Sequence, residues 1–198
     1  MPQFSLMQQA ILRAVCYYDV HSIPLTRDEI WRWLCLGQGE TWVPVRSDMD
    51  EAIDQLVSHG TLEVHGDRLT LKGRGEIVQT KAERTIESQK RWRRAKSAAR
   101  FLEIVPFVKH IGVVNTLAMD NTKPTSDIDF FIIVSPGRIW MARMMVTGIL
   151  SMLSYRRHDQ KIANRICLSF YVTKAGMDLG LLQLSNTEDD PHLRFWAS

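Results

Sequence analysis

The segment 127–134, with the sequence DIDFFIIV, constrains the fold more than any other part of the chain. It is rich in residues of high β-propensity and a Ser-Pro-Gly turn follows it, so a strand ending at Val134 is predicted. Successive side chains of a strand point to opposite faces, so Asp127 and Asp129 share one face. The pattern predicts a sheet in which two carboxylates lie at one end of a buried strand.

Two carboxylates two residues apart can ligate one hard cation together. Mg²⁺ prefers such oxygen ligands and completes its shell with water and substrate phosphates, and Mn²⁺ is the alternative cofactor. In phosphoryl chemistry, a pair of metals about 3.5–4 Å apart stabilises both the attacking and the leaving oxygen. An isolated Asp-x-Asp pair is a weak signal, because aspartates at a strand start are often only turn formers. Asp127 and Asp129 are therefore candidate metal ligands and catalytic residues, and the neighbouring sequence decides whether this assignment is specific.

The residues before the aspartate pair strengthen this hypothesis. A predicted strand at 108–114 is followed by Asn115-Thr116, by a loop up to Ser126, and then by Ser-Asp-Ile-Asp. This arrangement, NTLAMDNTKPTSDIDFFIIV, resembles the polymerase-β-like nucleotidyltransferase superfamily over residues 85–185.

The resemblance implies a mixed β-sheet with helices, a metal held by the two aspartates, and a nucleoside triphosphate as the small-molecule ligand. In that family a Gly-Ser pair after the first strand holds the triphosphate. Four residues of this chain are predicted to bind the nucleotide: Asn115, Thr116, Lys123 and Ser126.

Three positions depart from the family pattern. Asn115 stands in place of the glycine, and Thr116, which keeps a hydroxyl, stands in place of the serine. Asparagine tolerates left-handed backbone, so the turn is predicted to survive, although its side chain hinders a close approach of phosphate. Asp120 stands where many members have a second glycine, and its charge is unfavourable near phosphates unless a metal or Lys123 offsets it.

The third carboxylate of active family members is missing. In the family it lies on a later strand and removes the proton of the attacking hydroxyl. The next predicted strand, at 165–172, contains no acid, and Cys167 or Ser169 would take that place. Neither side chain replaces a general base well. Two functions stay open: nucleotidyl transfer to an unknown acceptor, and nucleotide binding without turnover.

Residues 1–78 are predicted to form a separate domain of three helices followed by a β-hairpin. Thr26 and Glu29 form a capping box at the start of the second helix, and the third helix starts near Ser47 and ends at 59–60. The hairpin strands are 62–64 and 68–71, separated by a glycine-containing turn. The predicted apolar faces are Leu6, Ile11, Leu12 and Val15; Ile30, Trp31 and Leu34; and Met49, Ile53, Leu56 and Val57.

This order of elements resembles a winged helix-turn-helix, which implies DNA binding through the third helix. The exposed positions of that helix carry four acidic residues and one basic residue: Asp48, Asp50, Glu51, Asp54 and Arg46. Acidic side chains facing phosphates weaken binding, because lysine and arginine carry the affinity for DNA. A DNA-binding regulator is the alternative function, while nucleic acid is not favoured over a packing or dimerisation role.

A long polar helix is predicted at 75–103, and residues 79–104 are assigned as a connecting helix. Its basic stretch, Arg91 to Arg100, permits two interpretations. The favoured one is a solvated connector, and the other is a nucleic-acid patch in which Trp92 stacks on a base. Pro106 ends the pattern, and residues 105–198 form the predicted nucleotidyltransferase-like domain.

The composition is that of an ordinary globular protein. The predicted helices and strands place the chain in the α+β class. The chain has 198 residues, 45% hydrophobic and 24% charged, with a net charge of +3. Three well-separated cysteines and the lack of a signal-peptide pattern predict a cytoplasmic protein with reduced thiols. The apolar stretch 139–153 contains Arg143 and falls short of the roughly twenty residues of a membrane span, so a buried core helix is predicted. No membrane partner is expected, and the oligomeric state is open.

Two further predictions concern the surroundings of the site and the end of the chain. Four basic residues are expected near the site, as partners of phosphates or as ordinary surface charges: Lys123, Arg138, Lys161 and Arg165. The sequence Asp189-Asp190-Pro191 has the form of a helix start. Since only a short segment follows it, truncation of the nucleotidyltransferase-like domain is expected there.

Overall fold

The computed structural model describes residues 4–37, 42–158, 162–178 and Phe195. The fold is mixed α+β, as predicted. The chain divides into two compact units, and the division falls inside a long helix, between Glu83 and Arg84. The domain boundaries at 78 and 104 stay predictions from the sequence.

The N-terminal unit contains three helices and a hairpin, in the predicted order. The helices are α1 (Leu6–Val20), α2 (Arg27–Arg32) and α3 (Arg46–Ser58), and the antiparallel strands are β1 (Leu62–His65) and β2 (Arg68–Leu71). The capping box at the start of α2 is confirmed: the hydroxyl of Thr26 accepts from the Glu29 N–H, and the Glu29 carboxylate accepts from the Thr26 N–H. These bonds satisfy N–H groups that have no partner inside the helix.

The core of this unit confirms most of the predicted apolar faces and corrects four positions. Leu6 is 50% exposed and Trp31 is 36% exposed, and Leu12 and Val57 are only partly buried. The buried stripe of α1 is instead Met7, Ala10, Ile11, Ala14, Val15 and Tyr18. Sequence spacing alone did not separate the two adjacent stripes, since both recur at intervals of three and four residues.

The C-terminal unit is built on a three-stranded sheet. Its strands are β3 (Val108–Val113), β4 (Ile128–Val134) and β5 (Ile166–Thr173), in the order β3-β4-β5. β3 is antiparallel to β4, and β4 is parallel to β5. The helices of the unit are the second part of α4 (Glu76–Leu102), the short α5 (Asn115–Ala118) and α6 (Ile139–Met152).

The predicted alternation along β4 is confirmed. Ile128, Phe130, Ile132 and Val134 are all buried, and the residues between them are only partly buried. The buried face packs in one core with three residues of α6 and three of α4: Ala142, Val146, Leu150, Ala95, Ala98 and Leu102. The interpretation of the basic helix as a solvated connector is therefore wrong for its second part, where small and apolar side chains recur on one face.

Three further predictions are corrected. The segment predicted as a loop after Val114 begins with the helical turn α5. Helix α6 is not buried all round, because Trp140 is 80% exposed and Met144 is 70% exposed. The strand predicted from Asp127 begins one residue later, at Ile128. The predicted helix start at 189–191 lies outside the described residues.

None of the helices in the described ranges is both long enough and apolar enough to cross a membrane.

Candidate metal centre and the loop that carries it

The aspartate pair lies at the start of the central strand, where both neighbouring strands bring polar residues beside it. On one side, the Val114 N–H donates to the carbonyl of Asp129 over 3.2 Å, so Asn115 follows directly next to the pair. On the other side, Asp129 is the register partner of Cys167. The sheet therefore places a polar turn and a thiol on the two flanks of the carboxylates.

Asn115 adopts the backbone that the sequence predicts for the turn. Its φ is 68°, in the left-handed region where asparagine is tolerated better than most residues. Its side-chain amide donates to Oδ2 of Asp129 over 3.1 Å. The amide is thus used to orient a carboxylate, and the carbonyls of Asn115 and Thr116 accept from the N–H groups of Met119 and Asn121.

Cys167 joins the two aspartates in one group. One ligand atom from each of Asp127, Asp129 and Cys167 lies within 4.8 Å of the other two, and all three residues are partly buried. The Cys167 sulfur also lies 2.7 Å from the hydroxyl oxygen of Ser169. Two carboxylates suit a hard cation such as Mg²⁺ or Mn²⁺, whereas a thiolate ligand favours softer metals such as Zn²⁺.

The two carboxylates have different surroundings. Burial raises the pKa of Asp129, and the negative charge of Asp127 raises it further; the hydrogen bonds from Asn115 and Cys167 act against this increase. The side chain of Asp127 is 20% exposed, and its Oδ2 accepts from Nη1 of Arg157 over 2.7 Å. A cation at the pair would relieve the repulsion between the carboxylates.

Arg157 is a site residue that the sequence interpretation missed. The charge of Asp127, followed by the hydrogen bond to it, raises the pKa of Arg157, so the guanidinium stays protonated. It also points at the Cys167 sulfur, 4.0 Å away. Its side chain is 45% exposed, and in this structure it is held by the ion pair with Asp127. The sequence signal was the Arg156-Arg157 pair shortly before β5.

The predicted nucleotide-binding residues lie around the same loop. Lys123 is exposed, and Ser126 closes a turn with it: the Ser126 hydroxyl accepts from the Lys123 N–H and the Ser126 N–H donates to the Lys123 carbonyl, both over 3.0 Å. Thr116 is partly exposed in α5, one residue after Asn115. These residues lie near the aspartate pair in sequence, and their binding of a nucleotide stays a prediction.

The other basic residues predicted near the site are distributed differently. Arg138 follows the far end of β4, roughly 20 Å along the strand from Asp127, and stacks on Phe107. It is therefore not a site residue. Arg165 directly precedes β5, and its carbonyl accepts from the Ile128 N–H over 2.8 Å. Lys161 lies outside the described residues.

The loop before the aspartates is held by a buried arginine from α4. Arg91 is 1% exposed, and its guanidinium donates to the carbonyls of Pro124 (2.8 Å) and Ser126 (3.2 Å). It also donates to the Glu87 carboxylate over 2.6 Å. Hydrogen bonds from Lys90 and then from Arg91 hold the pKa of Glu87 below its usual value. Arg91 therefore fixes the loop and is not part of an exposed nucleic-acid patch.

Further side chains on the same face of α4 hold the earlier part of the loop. The hydroxyls of Ser88 and Thr122 share a buried hydrogen bond of 2.9 Å. The indole N–H of Trp92 donates to Oδ1 of Asp120 over 2.8 Å. Asp120 has a φ of 48°, in the left-handed region, and its carboxylate is held by Trp92 of α4. The conflict of this charge with phosphates stays a prediction.

Comparisons with protein-family models, with curated proteins and with solved structures gave no match to this chain.

Proposed function

We propose that the C-terminal unit binds a nucleoside triphosphate through a divalent metal held by Asp127 and Asp129, and that it has a nucleotidyltransferase-type site. The observation that carries this proposal is the grouping of Asp127, Asp129 and Cys167 beside the left-handed turn at Asn115. A strand, a polar turn and a loop precede β4, and Asp127 and Asp129 lie immediately before and within the start of that strand. Mg²⁺ is the proposed ion, with Mn²⁺ as the alternative.

The residues of the site divide into two roles. Asp127 and Asp129 would hold the metal, which neutralises charge on the phosphates. The hydroxyl of Thr116, the backbone at Asn115-Thr116, and the loop residues Lys123 and Ser126 would contact the phosphate oxygens. Transfer would form a bond between an acceptor oxygen and the α-phosphorus and release pyrophosphate.

The position of Cys167 favours a second candidate function, nucleotide binding without turnover. Cys167 is the register partner of Asp129, the place at which a third carboxylate would serve as the general base. A thiol there, 2.7 Å from a serine hydroxyl, is a poor substitute for that base. Metal-dependent nucleotide binding is common to both candidate functions, and they differ only in whether the bound nucleotide is turned over.

A DNA-binding role for the winged-helix-like unit gains no support from the acidic helix. Arg27 donates to both Asp50 and Asp54, and Arg46 pairs with Asp28 and Asp50. The basic side chains nearest to α3 are thus occupied by its own carboxylates and their neighbours, which leaves less positive charge for phosphates.

Release of pyrophosphate separates the two nucleotide functions. Wild type, Asp129→Asn and Cys167→Asp would be incubated with Mg²⁺ and each of the four ribonucleoside triphosphates, with and without candidate acceptors. If the missing carboxylate limits turnover, Cys167→Asp releases pyrophosphate faster than wild type, and Asp129→Asn releases none. A wild type that neither binds nor consumes any triphosphate in the presence of Mg²⁺ or Mn²⁺ would overturn the proposal.

A further inference from the structure

A cleft beside the aspartate pair concentrates positive charge. Three arginines line it: Arg143 on α6, and Arg156 and Arg157 before β5. Thr147 and Ser169 line it as well and contribute two hydroxyls. Its volume is about 280 Å³, just below the roughly 300–1,000 Å³ of sites that enclose drug-sized ligands. A cleft of this size and charge suits a small anionic group.

The arginines of the cleft differ in their ion-pair partners. Arg157 is paired with Asp127, as described above. Among the residues that the structure describes, no carboxylate lies within 4.0 Å of Arg143 or Arg156. Arg143 instead stacks on the ring of Tyr171 at 5.6 Å. The guanidinium groups of Arg143 and Arg156 can therefore bind an external anion.

The arginines also converge on one place. Burial raises the pKa of Tyr171 to about 12, while the charges of Arg143 and Arg156 both act to lower it. The geometry agrees, because Arg143 stacks on the Tyr171 ring and Arg156 lines the same cleft as Arg143. Guanidinium groups bind phosphate through paired, parallel hydrogen bonds, and several of them around one point favour a doubly charged phosphate over a single carboxylate.

The position of the cleft relative to the aspartates indicates which substrate it serves. The turn at Asn115 follows β3, whereas the cleft lies at β5, so the two flank the central strand on opposite sides. In phosphoryl transfer, the attacking and the leaving oxygen lie roughly in line on opposite sides of the phosphorus. If the pyrophosphate leaves on the side of Asn115, the acceptor approaches from the side of Cys167 and the cleft.

We propose that the cleft formed by Arg143, Arg156 and Arg157 binds the phosphate group of a small phosphomonoester acceptor. This inference rests on the proposed nucleotidyltransferase-type site, because that site defines the acceptor side. The same chemistry would recognise the triphosphate of the nucleotide, and the experiment separates these two sources of phosphate.

The test uses phenyl phosphate as the phosphomonoester probe, with binding to the full chain measured by calorimetry in the absence of metal. The double variant Arg143→Gln/Arg156→Gln should bind it roughly tenfold or more weakly than wild type. The matched control is Arg93→Gln/Arg100→Gln, which removes the same charge from exposed positions of α4 and should bind as wild type does. Thermal unfolding of both variants verifies that they are folded.

Equal affinity of the two double variants would overturn the anion site. A second titration assigns the phosphate to its source. In the presence of saturating Mg-ATP, phenyl phosphate should still bind wild type, and Mg-ATP should bind the Arg143→Gln/Arg156→Gln variant unchanged. Displacement of phenyl phosphate by Mg-ATP would show that the cleft holds the triphosphate and would overturn the acceptor assignment.

Failure of the proposed function gives a different result. In that case wild type does not bind Mg-ATP, or Asp127→Asn/Asp129→Asn binds it as well as wild type does, while phenyl phosphate binding still depends on Arg143 and Arg156. That outcome overturns the acceptor role and leaves the anion site established.

Discussion

The two units of the chain use their charged side chains in different ways. In the N-terminal unit the charges pair with one another at the surface: Arg27 and Asp50 lie 3.3 Å apart and are 38% and 40% exposed. In the C-terminal unit the most buried charge, on Arg91, is 1% exposed and binds backbone carbonyls of the loop before the aspartates. Exposed ion pairs contribute little to stability, whereas a buried charge is costly unless it is fully hydrogen-bonded.

This difference indicates where the function lies. In the N-terminal unit several arginines pair with neighbouring carboxylates, among them Arg27 and Arg46. In the C-terminal unit Arg91 supports the loop before the aspartates, Arg157 pairs with Asp127, and Arg143 lines the adjoining cleft. The costly placements of charge are thus concentrated around the candidate site.

The largest expected effect is on stability, from Arg91→Met. This change removes the donor to two loop carbonyls and leaves them without their partner. The free energy of unfolding should fall by about 3–5 kcal/mol, as for other broken buried charge contacts. Chemical denaturation measures it, with the neighbouring exposed residue as control: Arg93→Met should change stability by no more than about 0.5 kcal/mol. Similar effects of the two changes would contradict the distinction between the buried and the exposed arginine of α4.

The next effect concerns the left-handed turn. Asn115→Ala places an ordinary side chain at a φ of 68°, which should cost roughly 1–2 kcal/mol of folding free energy. Asn115→Gly loses the same amide but tolerates this backbone, so it should be the more stable of the two variants. Urea denaturation of the pair measures the difference. Equal stability of the two variants would show that the turn is not held in this conformation.

A pH-dependent effect follows from the raised pKa of Asp129. The folded state binds this proton more tightly than the unfolded state does. The resulting stabilisation is complete below the ordinary pKa of an aspartate and is lost as the pH rises through the raised value. Asp129→Asn mimics the neutral form, so without metal it should melt at a higher temperature than wild type near pH 7.

The same comparison at low pH provides the control for this prediction. As the pH falls towards about pH 4, the wild-type carboxyl takes up its proton and the difference in melting temperature should shrink. A difference that stays constant from neutral to acidic pH would mean that titration of Asp129 is not its cause.

The smallest expected effect belongs to the N-terminal unit. Arg27→Gln removes the partner of Asp50 and Asp54 at the surface, and should lower the free energy of unfolding by about 0.2–1 kcal/mol. High salt should reduce the difference between the variant and wild type, because it screens exposed charges. A decrease in the free energy of unfolding as large as that from Arg91→Met would contradict the distinction between exposed ion pairs and the buried arginine that holds the loop.

Much of the fold was predictable because it depends on local patterns. Alternation gave the buried face of β4, and the capping box at Thr26 gave the start of α2. The supporting role of α4 was not predictable in this way. Arg84, Ser88 and Arg91 recur at helical spacing, but a polar stripe has the same composition whether it faces solvent or a loop.

The local geometry of the candidate site was predictable to a similar extent. The aspartates and the left-handed Asn115 follow from residue type and spacing along one segment. The partners of the aspartates come from distant segments. The register of β4 and β5 brings Cys167 beside Asp129, and the segment before β5 brings Arg157 to Asp127. Pairings of this kind depend on the sheet and are not encoded in the spacing of either segment.

The most direct test of the metal-dependent nucleotide site is isothermal titration of ATP and GTP into the protein, with and without Mg²⁺. Wild type should bind at least one of them only when Mg²⁺ is present, and Asp127→Asn/Asp129→Asn should bind neither. Binding that is independent of Mg²⁺ and equal in the variant, or no binding by the wild type, would contradict a nucleotide site at the start of β4.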